Sequence, residues 1–184
     1  RWIGSAPPEA LAAIRIVVLG IIFVMVTRED LVSTASIPRS MLETQGKGVM
    51  SLVARVPGYP AFAAGHQALL VFKVLLLGLL ALGVLGLGTR IVLPLCFAGY
   101  LLFGGIMRQY CHFFHQGLLP LYVLAVLVFT PCADAWSLDR RRREKRGQPV
   151  PREGVPAAVY GFGRWAIFAL IGLCYFSAGV SKLR

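Results

Sequence analysis

Residues 65–88 read GHQALLVFKVLLLGLLALGVLGLG, a run in which Lys73 is the one formally charged side chain. A helix crossing a hydrocarbon layer needs about 20 predominantly apolar residues, about 17 at the least, and this run exceeds that length. Four further stretches reach it on either side: Ala10–Val26 before, and Ile91–Met107, Phe113–Thr130 and Val159–Val180 after. The expected fold is all-α, a polytopic integral membrane bundle of about five transmembrane helices forming a single domain over residues 1–184. An outer loop spans 27–64 and a basic cytoplasmic loop 132–158.

Composition points the same way. With 57% hydrophobic residues and a mean hydropathy of +0.71, the chain carries more apolar surface than a domain of 184 residues can bury in one core. A cleaved signal peptide does not account for the first stretch, which is long, contains Arg15 and lacks a small-residue cleavage site after it. The chain begins at Arg1 and stops just after a hydrophobic segment, and is expected to be a fragment of a longer protein.

The net charge of +11 would suggest nucleic acid in a soluble domain, but its placement says otherwise. The densest cluster is RRRREKR at 140–146, between the last two apolar segments. Basic residues flanking membrane helices stay on the cytoplasmic side, so this loop sets the topology: N-terminus and the Thr89/Arg90 turn inside, the first loop, the Arg108 turn and the C-terminus outside. Arg140, Arg141, Arg142, Arg143, Lys145 and Arg146 are expected to contact anionic lipid headgroups, with no nucleic-acid partner. The expected location is the bacterial cytoplasmic (inner) membrane, multi-pass.

Smaller features fill in the picture. Cys96, Cys111, Cys132 and Cys174 show no CxxC spacing and read as small buried residues. Gly78, Gly83, Gly86 and Gly88 in the second segment predict close packing against the third or fifth helix. Pro94 and Pro120 are expected to kink their helices or to lie in first turns. The stretch at 41–56 is compatible with a short helix on the membrane surface, interrupted by Gly46 and Gly48.

The second half contains GLGTR at 86–90, His112 shortly before GLLPLY at 117–122, PCADAWSLD at 131–139 and CYFSAGVSKL at 174–183. In order and spacing these blocks resemble the HTTM (horizontally transferred transmembrane) family, which includes the vitamin K-dependent gamma-glutamyl carboxylase. The resemblance covers roughly residues 10–184. It implies a membrane helical bundle, a reduced quinone as cofactor, Lys182 as the base that deprotonates it, and His112 in support.

Each candidate also has a plainer reading. Lys182 is either a desolvated amine able to accept a proton or an interfacial lysine snorkelling beside Arg184. His112 and His115 lie three apart, with His66 at the same outer face, but the spacing is not that of a metal site and no metal is expected. Lys73 either faces the bundle with a partner or snorkels outward. Arg15 is expected to pair structurally with Asp134 or Asp139. Ser137-Leu-Asp139 reads as architecture, capping a following short helix, and Gly161-Phe-Gly163 as easing the start of the last helix.

Two functions follow. The favoured expectation is an accessory or structural subunit packing with other subunits of a larger membrane complex. The alternative is a carboxylase-like membrane enzyme using a quinone/quinol or other bound lipid, with Lys182 as general base.

Overall fold

The computed structural model describes residues 4–37, 52–53, 55–109 and 117–183. Seven α-helices are described: α1 (Pro8–Arg28), α2 (Tyr59–Ala64), α3 (His66–Leu85), α4 (Thr89–Gln109), α5 (Leu118–Val128), α6 (Leu138–Lys145) and α7 (Ala158–Lys182). A 3-10 turn at Val32–Ser36 follows α1. No strand is present among the described residues, and one antiparallel bridge joins Ala6 to Ala157.

Helices α1, α3, α4 and α7 are each long and apolar enough to cross a membrane. The most hydrophobic window, in α3, has a mean hydropathy of 2.7 yet only 22% of it is buried in the protein. Apolar side chains therefore line the outside of the bundle, the reverse of a water-soluble domain. The fourth predicted segment, 113–130, differs: its described helix, α5, has 11 residues, a rise of about 16 Å, well short of a full crossing. Pro120 lies in the first turn of α5, and residues 113–116 fall outside the described residues. Most of the surface helix expected at 41–56 also lies outside them.

Helix α1 is the axis of the packing, touching α3, α5 and α7. Its buried positions Leu11, Arg15, Leu19, Ile22 and Val26 recur at three- and four-residue spacing and so share one face. Helix α4 packs on α3 and α5, and α7 on α5 and α1. The glycines of α3 work differently from expectation. A Cβ at Gly83 would lie 2.9 Å from Leu19 Cδ1, so the tight approach is to α1, and contact with α4, through Cys96 and Val92, is ordinary at 3.7 Å. At Gly78 nothing lies within 4 Å.

The start of α7 is set by two close contacts. A Cβ at Gly161 would overlap the Gly4 carbonyl oxygen at 1.7 Å, and one at Gly163 would lie 3.0 Å from Leu11 and Thr130. The amino-terminal segment thus crosses the first turn of α7, held by Ala6 N–H to Ala157 O at 3.3 Å and Ala157 N–H to Ala6 O at 3.0 Å. Pro94 lies within α4, where its ring leaves the carbonyl of Arg90 without its helical donor.

Candidate functional site

One end of the bundle, hereafter the basic end, gathers the polar residues that the sequence singles out. Helix α3 stops at Gly86, whose φ of 69° places it in the left-handed region, and Gly88 follows at 60°. Glycine accepts this conformation without strain. The two left-handed residues turn the chain sharply into α4 and leave the first amides of α4 without partners of their own.

Asp139 supplies those partners. Its Oδ1 accepts from Gly88 N–H at 2.8 Å, and its Oδ2 accepts from Thr89 N–H and from the Thr89 hydroxyl, each at 2.9 Å. The backbone returns the link, Asp139 N–H donating to Gly86 O at 3.0 Å. Burial alone would raise the Asp139 carboxyl; the amides of Thr89 and Gly88 outweigh it and hold the group below its ordinary value. Ser137 caps α6 itself, its hydroxyl accepting from Arg140 N–H at 2.9 Å.

Beneath this turn sits Arg15, fully buried. Its guanidinium donates to Cys132 O at 2.8 Å and Trp136 O at 2.7 Å. The expected pairing with Asp134 or Asp139 is therefore replaced by main-chain carbonyls, because both carboxylates are occupied elsewhere. Asp134 accepts from Arg143 at 2.7 Å and from the Tyr160 hydroxyl at 2.8 Å, tying the loop to α6 and α7. Arg140 reaches Asp134 O at 2.9 Å, Glu144 at 2.8 Å and Glu153 at 3.2 Å. Glu9 accepts from Gly154 N–H at 2.8 Å, closing the layer against α1. Both oxygens of Asp134 and of Asp139 are thus engaged, and the arrangement neutralises charge and joins helices rather than presenting a free base or nucleophile.

Lys73 lies towards the opposite end. It donates to Glu29 O at 2.7 Å and Thr27 O at 3.3 Å, capping the carboxyl end of α1. A cation at a helix C-terminus satisfies carbonyls that have no helical donor and meets the favourable pole of the dipole. Tyr59 donates to Gln109 at 2.9 Å, fastening α2 to the end of α4.

The residues implied by the HTTM resemblance are placed as follows. Lys182 is exposed in the last turn of α7, and His66 is exposed in the first turn of α3. His112, His115 and Cys111 lie outside the described residues, so the expected proximity of His112 to Lys182 is not part of the described geometry. Among the described residues no group of three or more His, Cys, Asp or Glu side chains forms a potential metal site. Cys96 and Cys132 are buried and free, and Cys174 is half-buried and free. A shallow depression lined by Phe62, Gln67, Ala68, Val71, Phe72 and Leu75 is almost wholly apolar.

The 137–139 block is architectural, and Ser137 caps the following short helix as expected; its aspartate does something the sequence did not suggest. Asp139 caps α4, fifty positions upstream. The available signal was the absence of a local cap at GLGTR, where Gly88 precedes Thr89 and offers no side-chain oxygen. Compared with known proteins, the chain matches no family model, no curated protein and no solved structure.

Proposed function

We propose that the chain is an HTTM-like accessory subunit of a larger membrane complex. It crosses a bacterial cytoplasmic membrane with α1, α3, α4 and α7 and with the 113–130 segment, of which α5 is the described part, so that its amino terminus is inside and its carboxyl terminus outside. The observation that carries this reading is the second half of α7. The first half packs through Tyr160, Gly161, Gly163 and Ile167, whereas Tyr175 and Phe176 are each 68% exposed and nothing lies within 4 Å of a Cβ at Gly172 or Gly179. A helix exposed from Tyr175 to its end, with glycines that let another backbone come close, is suited to receiving a neighbouring transmembrane helix. The polar layer of the basic end supports the orientation, because it brings Arg90 and the arginine-rich α6 together at one end.

The test is purification in mild detergent of the full protein carrying a photo-crosslinking residue at Tyr175 or Phe176. Crosslinks from these positions to another membrane protein, absent from a control at buried Leu19, support the subunit reading. Crosslinking to lipid alone, together with a stoichiometric quinone in the purified protein, contradicts it and favours the quinol-linked alternative with Lys182 as base.

A further inference from the structure

The arginine-rich helix α6 is divided into two faces by its own register. At about 100° per residue, Arg140, Arg143 and Glu144 fall on one side, and Arg141, Arg142, Lys145 and Arg146 on the other. The first side is bound to the bundle: Arg140 to Glu144, Glu153 and Asp134 O, Arg143 to Asp134. The four cations of the second side are exposed and form no ion pair among the described residues.

The second side is held in place rather than free to turn. Asp139, one residue inside α6, is fastened to Gly88 and Thr89, and Ser137 caps the helix start. Arg90, next to Thr89, is exposed beside this face, and Arg142 is close enough to Asp139 for its charge to act on that carboxyl. The same end carries exposed Phe129, Trp136, Phe162 and Trp165. Aromatic side chains of this kind collect at the boundary between hydrocarbon and headgroups, which sets α6 at headgroup depth.

We propose that Arg141, Arg142, Lys145 and Arg146, with Arg90, form a binding surface for acidic phospholipid headgroups. The proposal rests on the transmembrane reading above and adds which cations of the cluster meet lipid and which are structural. Headgroup phosphates suit this surface because it lies flush with the ends of the apolar helices, where a bilayer's own anions are concentrated. Each basic residue near such a surface contributes about 1 kcal/mol, about a fivefold preference.

The experiment uses the full protein in nanodiscs of equal phosphatidylglycerol and phosphatidylcholine, with the lipids retained after detergent extraction counted by native mass spectrometry. The wild type is expected to retain phosphatidylglycerol over phosphatidylcholine by about fivefold or more. The R90Q/R141Q/R142Q/K145Q/R146Q variant should fall near parity, and the variant with lysine at all five positions should keep the preference. Parity in the wild type, an undiminished preference in the glutamine variant, or displacement of lipid by an oligonucleotide at physiological salt overturns the proposal. Should the glutamine variant fail to fold, the wild-type ratio and its expected decline at high salt decide. Parity in protein inserted in the bilayer counts against the lipid surface alone, whereas monodisperse protein without amphiphile removes the transmembrane reading itself.

Discussion

Asp139 and Thr89 are joined twice, Asp139 Oδ2 accepting from both the amide and the hydroxyl of Thr89 at 2.9 Å. The pair makes the first turn of α4 dependent on the loop that leads into α6, so two segments fifty residues apart stand or fall together. Replacing Asp139 with Ala removes the cap and is expected to cost about 1–2 kcal/mol. Thr89→Val removes only the hydroxyl bond and is expected to cost less. Thermal unfolding in detergent, read for both single variants and the double, checks this, with the double variant less destabilised than additivity requires.

The same carboxylate sets a pH dependence. Its folded value lies below its ordinary one, so the unfolded chain binds a proton first and the contribution of Asp139 is complete above the unfolded value of about 3.9. It is lost as pH falls through the lower folded value. The unfolding midpoint of the wild type is expected to drop between about pH 5 and about pH 3, and that of Asp139→Asn to drop less over this range.

Arg15 has no substitute among its neighbours. Arg15→Met leaves the carbonyls of Cys132 and Trp136 without the donors they have now, at an expected cost of about 3 kcal/mol. Arg15→Lys keeps the charge and offers one amine to two carbonyls, and is expected to fall between. Yield and midpoint after detergent extraction, ordered wild type, Lys, Met, are the check.

Glycine substitutions separate backbone contacts from side-chain ones. At Gly83 an added methyl meets the tip of Leu19, which can rotate away, and Gly83→Ala is expected to cost under about 1.5 kcal/mol. At Gly161 the methyl meets the main-chain oxygen of Gly4, so Gly161→Ala is expected to expel the amino-terminal segment from α7. Limited proteolysis should cut that variant before Pro8 much faster than Gly83→Ala or the wild type.

Helices α1, α3, α4 and α7 were legible within a few residues of their ends, because a lipid-spanning helix writes its length directly into an unbroken apolar run. The 113–130 run was equally apolar, yet its described helix is shorter, since hydropathy alone does not register the turn that α5 enters at Gly117 or leaves at Phe129. Lys73 and Arg15 were legible as charges needing partners. Those partners were main-chain carbonyls, which carry no side-chain signature, so nothing in the sequence marked them. The Asp139 cap was hidden for the related reason that its recipients are the amides of Gly88 and Thr89, far away in the chain and supplied by backbone.

The polar layer built around Asp139 is proposed to be the cytoplasmic face of a membrane bundle. The most direct measurement replaces Arg142 with Cys, in a background whose four native cysteines are serine, and labels intact cells with a membrane-impermeant maleimide. No labelling is expected until the membrane is permeabilised, while a cysteine at Gln67, towards the opposite end, labels from outside. Labelling of position 142 in intact cells would contradict this orientation.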